Sequence, residues 1–209
     1  MKDIIQQAQD VIGDNLILLA TYGKIEKYMV VVVKNLTFAD IEEIKPFADM
    51  VYRAFKKQPL VLTQEEISAG TDVFPLEFLN IKTTIEVIYG SDVFKDLSLE
   101  KKYVRRELEF EFRSKLINLR QGILEAKRDK ELSLIVNKSL PTLMPIFNGL
   151  LYLKGKTIPD DLKEMLNKLS DLYKLDFSVL TSSGAIKEKV DTLVMFLGKL
   201  GKAIDTMKV

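Results

Sequence analysis

LILLATYGKIEKYMVVVVK, residues 16–34, contains two short runs of almost unbroken apolar residues, Leu16–Thr21 and Tyr28–Lys34. Neither is long enough to make a stable buried helix, and the second is rich in valine. Both read as strands buried on two faces, which is why they lack the polar alternation of a half-exposed strand. Tyr22–Gly23 and the polar stretch Lys24–Lys27 separate them, so the two strands are expected to be neighbours. The second strand, YMVVVV, carries no carboxylate.

Outward from this pair the first half alternates element types. Ile4, Ile5, Ala8, Val11 and Ile12 form a helical stripe over residues 2–12, ended by Gly13–Asp14–Asn15. Thr37 with Asp40 has the spacing of an N-cap, opening a helical stretch to about Lys57. Pro46 lies inside it, so a kink or two short helices are expected. Pro59–Thr63 reads as a short strand followed by a helical turn. Val73–Ile81 and Ile85–Tyr89 read as further extended segments, closed by Gly90–Ser91–Asp92.

From Leu99 the pattern is helical almost to the end. Leu99–Arg128 carries Tyr103, Leu108, Phe112, Leu116, Leu119 and Ile123 on or near one stripe. Its surface holds spacing-four pairs, Glu109 with Arg113 and Glu111 with Lys115. Lys130–Leu153 is a second helical region, interrupted by Pro141 and Pro145. A third starts at Thr157–Asp161, and a fourth covers roughly Ala185–Met207. Its stripe of Leu193, Val194, Phe196, Leu197, Leu200 and Ile204 is expected in the core or at a homodimer seam. The fold class is α+β: a small mixed sheet with helices over residues 1–96, then an all-α bundle over 97–209.

Composition excludes several chemistries. The 209 residues include no Cys and no His. That removes disulfides, thiolate nucleophiles, Ser–His–Asp triads and imidazole ligands to metals. Carboxylate, Lys, Tyr and Ser/Thr chemistry survives, and a hard cation such as magnesium needs only oxygen ligands. The longest apolar runs fall far short of the about 20 residues that span a bilayer. The N-terminus MKDIIQQAQDVIGD is polar and amphipathic, so a soluble cytoplasmic protein with no membrane partner is expected. Net charge is +1, but residues 1–96 carry 10 basic and 15 acidic side chains, whereas 97–209 carry 21 and 15. Opposite signs would help the halves dock or give the second a taste for anions; a mixed solvated surface is the plainer reading.

TDVFPLEFLNIK, residues 71–82, followed by IEVIYGSDVF and then by RRELEFEFRSKLINLRQG, residues 105–122, resembles a family of bacterial and archaeal nucleotidyltransferase-like proteins. These combine a small nucleotidyltransferase fold with a helical domain similar to that of kanamycin-type nucleotidyltransferases. The similarity is clearest over residues 60–122. An active member follows its first strand with a Gly–Ser turn whose amides cradle the nucleotide phosphates. This chain has Tyr22–Gly23–Lys24, matching the Gly only. An active member then places an Asp–x–Asp pair on the second strand, so that both carboxylates reach the same two metals. Here both acids are missing, and Glu26 is the nearest carboxylate. A third acid belongs on a later strand, where Glu77 fits in one register and Asn80 in the other; a strand-edge charge that faces solvent or pairs with Lys82 is the plainer alternative for Glu77.

The resemblance therefore implies a pseudoenzyme: a nucleotidyltransferase-like frame without the metal-borne charge neutralisation that phosphoryl chemistry depends on. No cofactor is expected, and binding would occur through a protein partner or a second copy. Tyr22, Gly23 and Lys24 are the candidate ligand-binding residues in the first half. Arg113 and Arg120, seven apart on one helix face, are those in the second, either as an anion- or partner-binding stripe or as arginines paired with Glu109 and lying over the core. Two alternatives stand beside this. One is a magnesium- and nucleoside-triphosphate-dependent transferase with relocated ligands, Glu26 and Glu77. The other is a nucleic-acid-binding or antitoxin-like module using the basic half.

Overall fold

A computed structural model describes residues 2–207. The chain is α+β, a four-stranded mixed sheet near the N-terminus followed by a run of helices. It forms two compact units. One runs through Asp72 and includes Asn80–Ser98; the other comprises Val73–Leu79 and the chain from Leu99 onward. Residues 73–79, placed with the first half by the sequence reading, thus group with the helical unit.

In the first unit, α1 (Lys2–Ile12) leads into β1 (Leu16–Tyr22), which turns into β2 (Tyr28–Val33). Helix α2 (Phe38–Phe55) then crosses over to β3 (Leu60–Thr63), and after α3 (Gln64–Ala69) and α4 (Pro75–Thr84) the chain forms β4 (Glu86–Gly90). The strand order is β3-β2-β1-β4. β1 is antiparallel to both β2 and β4, whereas β2 and β3 are parallel, as their helical crossover requires. Central position explains the valine run: Val30 to Val33 are all fully buried. Leu16, Leu19, Met29, Val31 and Val33 pack with Ile4, Ala8 and Ile12 of α1 and Ile44, Phe47 and Val51 of α2. The side chain of Asn15 fastens the open end of the strand pair, accepting from the Lys34 and Asn35 amides and donating to the Asn35 carbonyl.

Thr37 and Asp40 form a capping box, each side chain taking the other's backbone N–H. Helix α2 then runs through Pro46 as one element rather than two. Pro46 faces solvent while Ile44, Phe47 and Val51 anchor the helix on both sides of it, so tertiary burial outweighs the lost hydrogen bond. Val73–Ile81 is corrected more sharply: Pro75–Thr84 is helix α4, not a strand. Pro75 occupies the first helical position, where its missing N–H costs nothing. Leu76, Phe78, Leu79, Asn80 and Ile81 are all buried, so the run carries no one-sided periodicity by which a helix is recognised. Glu77 and Asn80 are consequently helical residues, and the registers weighed for a strand do not apply.

The second unit contains α5 (Lys101–Glu125), α6 (Asp129–Leu153), α7 (Leu162–Tyr173) and α8 (Ile186–Asp205). α6 runs unbroken through Pro141 and Pro145, with Leu143, Met144, Ile146 and Phe147 buried around them. α7 starts later than Thr157–Asp161 suggests: Asp161 is its N-cap, accepting the Glu164 N–H at 2.8 Å, and Pro159 lies outside. At the centre, Phe112, Phe147, Phe177 and Phe196 meet edge to face, with centroids 4.8 to 6.1 Å apart. Leu193, Leu197, Leu200 and Ile204 join Phe196 in the core. Among the described residues no helix is long and apolar enough to cross a membrane.

Candidate functional sites

Two places gather the residues the sequence singles out. The first is the β1–β2 turn. Gly23 takes φ +95°, and a Cβ there would lie 2.2 Å from the Glu26 carbonyl oxygen, so only glycine fits. Its amide donates to Thr84 Oγ1 at 2.9 Å. The Tyr22 and Tyr28 rings pack with centroids 5.4 Å apart. The Tyr28 hydroxyl donates to Glu26 Oε2 at 2.9 Å, and Lys57 Nζ lies 3.5 Å from the same oxygen. On the other side of the turn, Lys27 Nζ donates to Glu86 at 2.6 Å and Thr21 Oγ1 to its second oxygen at 3.5 Å. The hydrogen bond and charge of Lys27 hold the Glu86 carboxyl below its ordinary range. Lys24, half-exposed, sits within the turn.

Tyr22, Gly23, Lys24 and Glu26 are therefore neighbours, but Glu77 belongs to the first turn of α4 in the other unit. β2 supplies no carboxylate, and Glu26 is committed to a hydroxyl and an ammonium group. Among the described residues, no three acidic side chains gather in a way that would hold a metal ion. Thr84 and Glu86, which complete the turn's bonding, carry no signal in the sequence, because they meet it only through the pairing of β4 with β1.

The second place is the outer face of α5 and its groove with α8. Arg113 makes ion pairs with Glu109 at 3.2 Å and Asp205 at 3.0 Å, which raise its pKa further. Arg105 donates to the Asp205 and Met207 carbonyls, satisfying the C-terminal end of α8 rather than facing water alone. Alongside lies a groove of about 390 Å³ with Phe112, Leu116, Val194, Met195 and Leu197 as apolar lining. Arg120, Lys199 and Lys202 stand around it, and none of the three has a carboxylate partner among the described residues. Gly198 also lines it, and a Cβ there would meet nothing within 4 Å. Internal packing does not require this glycine, although alanine would favour the helix by about 0.5–1 kcal/mol.

One titratable group stands out beyond both. Glu107 of α5 is half-buried and accepts the Leu76 N–H at 2.7 Å, close to the start of α4. Burial pushes its carboxyl up to about 7; the Leu76 bond opposes this, while the charges of Glu111 and Glu77 add to it. A raised folded pKa means the native state holds the proton more tightly than the unfolded chain, so this group's contribution falls as pH rises from about 4.5 to about 7. Allowing for partial solvent screening, the loss is about 1–2 kcal/mol. Glu107→Gln keeps the acceptor without the charge. It is expected to match the parent in thermal unfolding at pH 5 and to melt higher at pH 8; equal melting at both would contradict this.

No protein-family model matches the chain, and no curated protein matches it.

Proposed function

We propose that this chain acts by binding, as a non-catalytic protein of the nucleotidyltransferase-like class, and that its ligand is a protein. The groups at the β1–β2 turn support this. Where an active member turns backbone amides and carboxylates toward phosphate and metal, Gly23 N–H is bonded to Thr84, Glu26 to Tyr28 and Lys57, and Glu86 to Lys27 and Thr21. The polar groups close the turn on itself. A nucleotide would have to break several of these bonds before gaining its own. A cytoplasmic location is part of the proposal.

Thermal unfolding with nucleoside triphosphate and magnesium tests the absence of nucleotide binding. A ligand at 100 times its Kd stabilises a native protein by about 2.7 kcal/mol. No shift is expected at millimolar nucleotide, and a saturable upward shift that requires magnesium would overturn the proposal.

A further inference from the structure

Helix α5 carries a second apolar seam that its core stripe does not use. Phe110, Ile117 and Leu124 recur every seven residues and are 66%, 55% and 86% exposed. Arg106, Arg113 and Arg120 follow the same interval, three residues behind Tyr103, Phe110 and Ile117. From Tyr103 to Leu124 the seam is about 32 Å long, too long for one small molecule to cover. An apolar position repeated every seven residues keeps to one side of a helix, and here arginine, not a second apolar residue, stands three further on, so the face is a single apolar row edged by cations. Large exposed apolar side chains in such a register mark an interaction face.

Charge selects the occupant. Three arginines lie along the seam, and the groove beside it adds Lys199 and Lys202. Arg113 is neutralised by Glu109 and Asp205, but Arg120, Lys199 and Lys202 have no acidic partner among the described residues. A second copy docked parallel along the same seam would bring arginine against arginine, which like-charge repulsion disfavours, and one docked antiparallel would leave the arginines without carboxylates. Nucleic acid would answer the cations and leave Phe110 and Leu124 in water. Gly198 fits the same picture, since its missing side chain leaves the α8 wall open where an incoming helix would press.

We propose that the outer face of α5, with the α5–α8 groove, binds an acidic amphipathic helix of a partner protein. The apolar side chains of that helix would cover Phe110, Ile117 and Leu124, and its carboxylates would pair with Arg120, Lys199 and Lys202. This deepens the binding reading above and rests on it.

The full chain is titrated, by fluorescence anisotropy, with two labelled helical peptides of about 21 residues, the length of the seam. Both carry the same leucine seam, flanked by glutamate in one and by lysine in the other. The acidic peptide is expected to bind at micromolar concentration and the basic one at least tenfold more weakly. The triple variant Arg120→Glu, Lys199→Glu, Lys202→Glu, whose three changes are on exposed side chains, should reverse that order while melting like the parent. Leu124→Ser, also exposed, should weaken the acidic peptide without altering the charge preference. Equal affinity for both peptides, no binding of either, or a triple variant that fails to reverse the preference would overturn the proposal. So would a single-stranded oligonucleotide that competes at lower concentration than the acidic peptide, or self-association of the free chain that Leu124→Ser abolishes. Failure of the peptides with no nucleotide-dependent stabilisation removes this inference alone; nucleotide-dependent stabilisation removes the reading beneath it.

Discussion

Phe196→Ala is expected to cost about 4–5 kcal/mol, a large share of the about 5–15 kcal/mol by which an ordinary domain is stable. Phe196 is 1% exposed and touches three other rings edge to face, Phe112 at 5.7 Å, Phe147 at 5.6 Å and Phe177 at 4.8 Å. Truncation leaves a cavity walled by rings from α5, α6 and the segment after α7, and flat rings held by helices close poorly over a void. Each lost ring pair adds about 0.5–1.5 kcal/mol beyond the area term. Phe196→Leu retains most of the volume and should cost less than half as much. Denaturant unfolding of the two variants checks this. Equal, small losses would show that the four rings are not the packing centre of the helical unit.

Gly90→Ala is expected to destabilise the sheet unit by about 2–4 kcal/mol. Gly90 has φ +84°, and a Cβ there would lie 1.9 Å from the Ile17 carbonyl oxygen. That atom is backbone of β1, so the clash is relieved only by moving β4 off its pairing at Leu18. Gly13 isolates the conformational part of the effect: its φ is +56° but a Cβ there meets nothing within 4 Å. Gly13→Ala should therefore cost only the left-handed backbone penalty, about 1–2 kcal/mol. Losses of the same size in both variants, measured by thermal unfolding, would contradict the steric account.

These two residues also show what the sequence discloses and what it withholds. The aromatic and leucine stripe of α8 announces its core face, because helical periodicity and burial coincide there. The valines of β2 announce a central strand for the complementary reason, that no face is left polar. Gly90 reads only as a turn residue, since its contact with Ile17 comes from strand pairing distant in sequence. α4 is illegible in a different way: buried on every side, it has neither the one-sided stripe of a helix nor the alternation of a strand. The turn at Tyr22–Gly23–Lys24 is visible as a short connection, yet its closure by Thr84 and Glu86 depends on β4 lying next to β1. On α5, Arg113 and Arg120 are conspicuous by spacing. Phe110, Ile117 and Leu124 are not, because apolar residues in a long helix look like core until their exposure is known.

Nucleotide incorporation puts the non-catalytic reading to its most direct test. The full chain is incubated with labelled nucleoside triphosphates, magnesium or manganese, and candidate acceptors including the chain itself. No metal-dependent transfer above a heat-denatured control is predicted. Incorporation that requires the metal and is lost in Glu26→Gln would contradict the account, since it would mean that this carboxylate leaves Tyr28 and Lys57 to serve a metal.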